Sequence, residues 1–261
     1  MKPRTENYHL PNGTARIEVR GDGSACGLFL GGKPFVFNFY DRAGSIGQDL
    51  YRFAPLVDNN RPAGLSEVTA DLPPEDATLS RLILPLLQQF PSAAYTLTLA
   101  PCTDADAFVE YYLANYQQDC AYTTSGYYPF GEKVLVATQP DETLDDARIA
   151  HFWYAIEEGK RPFAITATTG DAMCEFVLDG HHKMRAYAHA GVDPWRLCIT
   201  RSSSPLAEND WPTSVVAPRA WRAIYEPQVV PPPIDREAVR ETARSEDRVA
   251  FDDTRSEGQS R

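Results

Sequence analysis

The stretch that decides the fold is FVLDGHHKMRAYAHAG, residues 176–191. An apolar run typical of a buried strand ends in Asp179-Gly180, and an alanine-rich segment with helical spacing follows and stops at Gly191. Gly180 permits a tight turn between the two elements. The sequence therefore predicts a strand, a turn and a helix whose junction carries an acid, two imidazoles and a cation: Asp179, His181, His182 and Lys183.

A junction of this kind is suited to phosphate. The first N–H groups of a helix and the positive end of its dipole attract anions. Lys183 and Arg185 add positive charge nearby, and either His181 or His182 can donate to a phosphate oxygen. Asp179 can hold a histidine, accept a proton from a hydroxyl group, or bind Mg²⁺ beside a nucleotide.

Two other interpretations compete with phosphate binding. In the first, Asp179 only caps the helix and both histidines are solvated. In the second, a metal is held by histidines from one region of the sequence: His151, His181, His182 and His189. Adjacent histidines point in different directions on a helix, and the chain has no HExxH pattern, so we favour phosphate over metal.

The segments around the deciding stretch predict the rest of an α+β domain. Strands are expected at 132–139, 162–168 and 195–201, and a helix at 145–159. Asp145 and Asp146 suit the first turn of that helix, and Gly159 suits its end. The order strand, helix, strand, strand, helix, strand places this half of the chain in the α+β class.

The first 130 residues have a more mixed pattern. We expect a loose arm at 1–13, loop at 41–77 and a helix at 103–118. Other predictions are strands at 15–20 and 93–100, a hairpin at 27–39 turning at Gly31-Gly32, and a helix at 77–90 that Pro85 interrupts. The predicted organisation is an α+β region of unknown role (1–130), a domain with an extension (131–228) and a disordered acidic and polar tail (229–261).

Charge and composition narrow the function classes. The 261 residues carry a net charge of −11, which argues against non-specific binding of nucleic acid and favours a small-molecule substrate. An acidic surface can also cover a basic protein partner. No apolar run is long enough to span a membrane, no secretory pattern is present and the five cysteines are scattered, so we expect a cytoplasmic protein.

Residues 134–202 resemble the ParB/sulfiredoxin-like superfamily. The marks that carry the resemblance are a strand leading to Gln139-Pro140, a helix, the pattern I-x-x-G-x-x-P, a strand ending in Asp-Gly-His-His-Lys, the pair Ala-Tyr before a glycine, and a last strand. The I-x-x-G-x-x-P pattern is formed by Ile156, Gly159 and Pro162.

The resemblance implies a mixed-sheet domain that binds a nucleotide at this turn, with ATP or ADP and Mg²⁺ as cofactors. It implies a phosphate pocket formed by Gly180, His181, His182 and Lys183, to which we add Arg185 and Gln139 as candidates. In the kinase-like members the acid and the second histidine of this motif are functional, and these correspond to Asp179, also our metal candidate, and His182. A further acidic residue serves in those kinases, and Glu142 is the candidate for it.

These implications lead to one favoured function and two alternatives. The favoured function is transfer of phosphate from ATP or ADP to a small hydroxyl substrate. The alternatives are a metal-dependent nuclease of the ParB-like type and a non-catalytic immunity or regulatory protein. Gly180-His181 stands where sulfiredoxins have their catalytic cysteine, which argues against sulfinic-acid reduction. The Gly-Glu-Arg-Arg turn of chromosome-partition ParB proteins is replaced by Gly-His-His-Lys, which argues against a CTP-driven DNA clamp.

Overall fold

The structure is a computed structural model that describes residues 2–21, 25–40, 47–53, 65–102, 108–109, 112–113, 122–127, 134–139, 143–170, 172, 174–207 and 210. The strands in these ranges are β1 (Arg4–Leu10), β2 (Ile17–Gly21), β3 (Ala25–Leu30), β4 (Lys33–Tyr40), β5 (Gly47–Arg52), β6 (Ala93–Pro101), β7 (Phe108–Val109), β8 (Tyr112–Leu113), β9 (Tyr122–Tyr127), β10 (Val134–Val136), β11 (Phe163–Thr169), β12 (Cys174–Asp179) and β13 (Trp195–Arg201). The helices are α1 (Leu65–Val68), α2 (Leu79–Leu82), α3 (Leu84–Leu87), α4 (Asp146–Glu157) and α5 (His181–Ala190).

The described strands form two sheets. The first has seven strands in the order β1-β6-β13-β11-β12-β10-β7, and the second has six in the order β2-β3-β4-β5-β9-β8. The seven-stranded sheet is mixed, because β11 runs parallel to β13 but antiparallel to β12. Helices and mixed sheets together confirm the α+β class. Since β13 pairs with β6 and β6 with β1, this sheet also crosses the boundary expected near residue 130.

The main core includes side chains from both sheets. Leu28 and Val36 from the six-stranded sheet belong to the same buried cluster as Leu97, Ile165 and Phe176 from the seven-stranded sheet. All seven residues of β11 are buried, as expected for a central strand covered on both faces. This burial fixes the strand whose first residues lie against the start of α5.

Helices α4 and α5 pack against each other beside the sheet. Ile149, Phe152, Trp153 and Ile156, at the predicted helical spacing, form a cluster with Ala186 and Tyr187 of α5. Asp145 caps α4, because its Oδ1 accepts hydrogen bonds from the amides of Ala147 (2.9 Å) and Arg148 (3.2 Å). From β10 to β13 the elements follow in the predicted order of strand, helix, strand, strand, helix and strand, so this prediction is confirmed.

Two local predictions in the first half are also confirmed. Strands β3 and β4 form the expected hairpin, and Gly31 and Gly32 have φ angles of 58° and 78°, which glycine adopts without steric cost. Pro85 lies in the first turn of α3, and Ile83 separates α3 from α2. The predicted interruption of that helical segment is therefore present.

The predictions of a loose arm at 1–13 and of loop throughout 41–77 were wrong. Residues 4–10 form β1, which pairs antiparallel with β6 and buries Leu10. The arm is held further by Glu6, whose carboxylate accepts a hydrogen bond from the amide of Leu79 at 2.7 Å. The polar 41–77 segment contains β5, which pairs with β4 and β9, and the short helix α1. In both places pairing with a distant strand outweighs the local composition.

The helix predicted at 103–118 was wrong where the structure describes it. Phe108–Val109 forms β7, parallel to β10, and Tyr112–Leu113 forms β8, antiparallel to β9. Aromatic and β-branched residues favour strands when a partner strand is available. The remaining residues of that segment, and the tail predicted at 229–261, lie outside the described residues. Among the described helices, none has the length and apolar character needed to cross a membrane.

Candidate functional site

The junction between β12 and α5 is built around Gly180. This residue begins the helix with φ 103° and ψ 19°, in the left-handed region, and its carbonyl accepts the Met184 amide at 2.9 Å. A Cβ atom here would lie 2.8 Å from the Ala164 Cα. Only glycine fits this position without a shift of the β11 backbone. The helix N-cap is thus Gly180 and not Asp179, contrary to the simple capping interpretation.

Asp179 and Lys183 form a buried ion pair across this turn. The Lys183 Nζ lies 3.1 Å from the Asp179 Oδ2, and the two side chains are only 2 % and 5 % exposed. The same ammonium donates to the Phe163 carbonyl at 3.2 Å and to the hydroxyl of Thr69. Three oxygen atoms therefore surround an ammonium that has three protons to donate. Lys183 is held towards the protein interior by these contacts.

His181 holds the residues that follow β10. Its Nε2 accepts hydrogen bonds from the amides of Thr138 (2.9 Å) and Gln139 (3.1 Å). The Thr138 hydroxyl donates to the Val177 carbonyl at 2.5 Å, which fixes the same segment to β12. A nitrogen that accepts two N–H groups carries no proton, so His181 is the neutral tautomer protonated on Nδ1.

His182 makes the equivalent contact with the start of α4. Its Nε2 accepts the amide of Asp145 at 3.1 Å, and the residue is 7 % exposed. The two adjacent imidazoles therefore bind both described ends of the connection from β10 to α4. Neither Nε2 atom can donate to a phosphate in this arrangement, so a donated hydrogen bond would have to come from Nδ1.

Two other candidates, Gln139 and Arg185, lie on segments that adjoin this centre, the first after β10 and the second on α5. The Gln139 side chain donates to the Thr143 carbonyl at 3.2 Å. Burial lowers the pKa of the partly buried Arg185 on α5. Glu142 lies outside the described residues. Among the described residues, no three His, Cys, Asp or Glu side chains are grouped closely enough to hold a metal ion.

Sequence reasoning missed Thr69. It lies directly after α1, more than 100 positions from Asp179 and Lys183, which it contacts, and it is fully buried. Its hydroxyl donates to the Leu65 carbonyl at 2.7 Å and lies 3.5 Å from the Asp179 Oδ2. No local pattern in the sequence indicates this contact, because it joins segments that are far apart in the chain.

A second buried acid lies on the same strand as Asp179. Glu175 binds Arg196 through two contacts, of 2.6 and 3.1 Å, and accepts the Thr166 hydroxyl at 2.9 Å. Burial, together with the nearby Glu175 charge, raises the pKa of Cys198 to about 12. This thiol stays protonated at neutral pH, so it is not an activated nucleophile.

The junction is exceptional for its concentration of buried polar groups. Of the thirteen buried polar or charged residues in the described ranges, six belong to it: Thr69, Thr138, Asp179, His181, His182 and Lys183. Comparison of the chain with protein-family models, curated proteins and solved structures found no match. The resemblance to the ParB/sulfiredoxin-like superfamily therefore stays a prediction.

Proposed function

We propose that the chain binds the phosphate groups of a nucleotide at the β12–α5 junction. The observation that carries this proposal is the concentration of six buried polar residues around one turn, four within it and two, Thr69 and Thr138, packed against it. Burying charged and polar groups opposes folding unless each is compensated, and a buried ion pair adds little net stability compared with apolar packing. Proteins most often bury such costly polar and charged groups where function requires them.

The start of α5 supplies the attraction for the ligand. This ten-residue helix begins at a glycine that offers no side-chain cap, so its positive end can accept an anion in place of a capping oxygen. In the proposed complex the phosphate accepts hydrogen bonds from the first turn of α5 and from the ring N–H of His182. His182 is the more exposed of the two histidines, at 7 % against 1 %.

Asp179 is better suited to accept a proton than to hold Mg²⁺. Its Oδ2 lies 3.1 Å from the Lys183 ammonium, and a cation at that oxygen would have to displace the lysine. The residues of this turn therefore do not fit a magnesium site centred on Asp179. We propose that Mg²⁺ arrives bound to the nucleotide phosphates, where it would neutralise their charge.

Phosphoryl transfer to a small hydroxyl substrate is the reaction that this arrangement would serve. The hydroxyl oxygen attacks the terminal phosphorus, the bond between that phosphorus and the bridging oxygen breaks, and the shortened nucleotide leaves with the bonding electrons. The hydroxyl proton passes to the Asp179 carboxylate, which the contact with Lys183 holds in place. The substrate is a small hydroxyl compound and not a nucleic acid, in keeping with the net charge of −11.

Binding is tested by calorimetric titration of the full chain with ATP, ADP, CTP and GTP, each with and without Mg²⁺. We expect saturable binding of at least one nucleotide, weakened about tenfold or more by His182→Ala, a loss typical of a hydrogen bond to a charged group. His151→Ala is the matched control, since it removes an exposed imidazole from α4. Absence of binding at millimolar nucleotide would overturn the proposal.

A second candidate is a non-catalytic regulatory protein whose acidic surface covers a basic partner. The observation that favours it is that Asp179 and Lys183 already neutralise each other inside the protein. Exposed acids also lie at both ends of α4, at Asp145, Asp146, Glu157 and Glu158. This candidate predicts no nucleotide binding, together with salt-sensitive binding of an arginine-rich peptide that Glu157→Lys/Glu158→Lys weakens.

A further inference from the structure

Thr69 joins the N-terminal half of the chain to the junction. Its carbonyl accepts the amide of Phe163 at 3.0 Å, while its hydroxyl receives Lys183. The carbonyl of Phe163 accepts the same ammonium at 3.2 Å. Thr69, Phe163 and Lys183 therefore close a ring of hydrogen bonds that links the segment after α1, the start of β11 and the first turn of α5.

Further contacts fix the position of this hydroxyl. The amide of Thr69 donates to the Leu65 carbonyl at 3.0 Å, and its Oγ1 donates to the same oxygen at 2.7 Å. Two residues further on, the Asp71 Oδ1 accepts the Arg161 amide at 2.8 Å. Because the single hydroxyl proton is given to Leu65, the oxygen lone pairs are available to Lys183.

We propose that Thr69 is a positioning residue for the nucleotide site, through which the N-terminal half sets the direction of the Lys183 side chain. With Thr69 present, the ammonium faces Asp179 and holds that carboxylate in place beside the start of α5. Without the hydroxyl, a buried ammonium has one acceptor fewer, and its most direct replacement is water or a different side-chain direction. The effect on ligand binding rests on the proposed nucleotide function, whereas the effect on the geometry of the turn does not.

The test uses three variants of the full chain. Thr69→Val keeps the shape of the side chain and removes the hydroxyl, and Thr69→Ser keeps the hydroxyl. Ser80→Ala is the control, because it removes another buried hydroxyl, one that donates to the Glu6 carboxylate at α2. Nucleotide affinity is measured by calorimetry, stability by urea unfolding, and local opening by hydrogen exchange of the amides of residues 180–184.

We expect Thr69→Val to weaken nucleotide binding about tenfold or more, as expected when a hydrogen bond to a charged group is lost. Exchange of the 180–184 amides should accelerate by a similar factor. Thr69→Ser should restore both properties to within about threefold of wild type, a difference below 1 kcal/mol. Ser80→Ala should lower stability without changing either property.

Two results would overturn the inference, and both differ from failure of the proposed function. If Thr69→Val lowers stability while affinity and exchange at 180–184 match those of Ser80→Ala, Thr69 only supports the fold. If Thr69→Ser is as impaired as Thr69→Val, the methyl group and not the hydroxyl is responsible. If the wild type binds no nucleotide, the proposed function fails, and the exchange measurement alone decides whether Thr69 positions the turn.

Discussion

Two buried acids on β12 provide an internal comparison. Asp179 pairs with a lysine that is 2 % exposed, whereas Glu175 pairs with an arginine that is 22 % exposed. The Glu175–Arg196 pair has two-point geometry between β12 and β13, the two strands that flank β11 in one sheet, and needs no contribution from α5. The Asp179–Lys183 pair lies beside two neutral imidazoles at the positive end of a helix. Burial of an acid therefore does not distinguish a candidate site. The distinguishing feature of Asp179 is its surroundings, which are two histidines and the positive end of α5.

The largest expected effect follows from breaking the Asp179–Lys183 pair. Lys183→Met leaves the Asp179 carboxylate buried without its cation, which should lower the free energy of unfolding by about 3–5 kcal/mol. The double variant Asp179→Asn/Lys183→Met should recover part of that loss, because it removes both charges. Urea unfolding measures the free energy of unfolding of both variants. A loss below about 1 kcal/mol in Lys183→Met would show that Asp179 and Lys183 do not form a buried ion pair.

The next largest effect concerns the backbone of the turn. Gly180→Ala places a Cβ 2.8 Å from the Ala164 Cα at a φ of 103°. We expect a loss of about 2–3 kcal/mol, since both a strained backbone and a steric clash must be accommodated. Gly159→Ala is the control, because that glycine also has positive φ but open space around its Cβ position. Thermal unfolding of the two variants separates the clash from the strain, and equal losses would argue against close packing of the turn on β11.

The sheet pair should respond more mildly. Glu175→Gln keeps the shape of the side chain and removes the charge that Arg196 faces, at a cost of about 1.5–3 kcal/mol. Part of the Arg196 side chain reaches solvent, which limits that cost. The variant should leave nucleotide affinity within about twofold of wild type, a difference of less than 1 kcal/mol. Calorimetric titration of Glu175→Gln and His182→Ala tests whether nucleotide binding is confined to the junction. If both variants weaken nucleotide binding equally, the junction is not functionally different from the Glu175–Arg196 pair.

The last expected effect is confined to alkaline pH and is a pH dependence of stability next to the sheet pair. Burial raises the pKa of Cys198 to about 12, against about 9 for a free thiol. The unfolded chain therefore loses this proton first, so the stability that the protonated thiol contributes is complete below pH about 9 and is lost as the pH rises towards 12. Cys198→Ala should show a shallower fall in unfolding free energy above pH about 9 than wild type. Parallel curves for the two proteins would contradict the assigned burial effect.

The elements of the second half could be predicted because their signals are local. The cap at Asp145, the glycines at 180 and 191 and the apolar spacing of α4 each lie within the element that they define. The edge strand β1 and the short strands β7 and β8 could not, because their stability depends on partners far away in the sequence.

The candidate site also has a part that the local sequence predicts and a part that depends on distant segments. The motif brings Asp179, Gly180, His181, His182 and Lys183 together, and the structure places all five at one turn. What the motif could not reveal is that both Nε2 atoms face backbone amides and that Lys183 points inward. Those directions depend on Thr138, Asp145 and Thr69, which come from three other segments of the chain.

The most direct test of the central claim is a calorimetric titration of the wild type and of His182→Ala with ATP and ADP in the presence of Mg²⁺. Saturable binding by the wild type, weakened about tenfold or more by His182→Ala and retained by Glu175→Gln, is the predicted result. Failure of the wild type to bind ATP, ADP, CTP or GTP at millimolar concentration would contradict the claim and favour the regulatory protein with a basic partner.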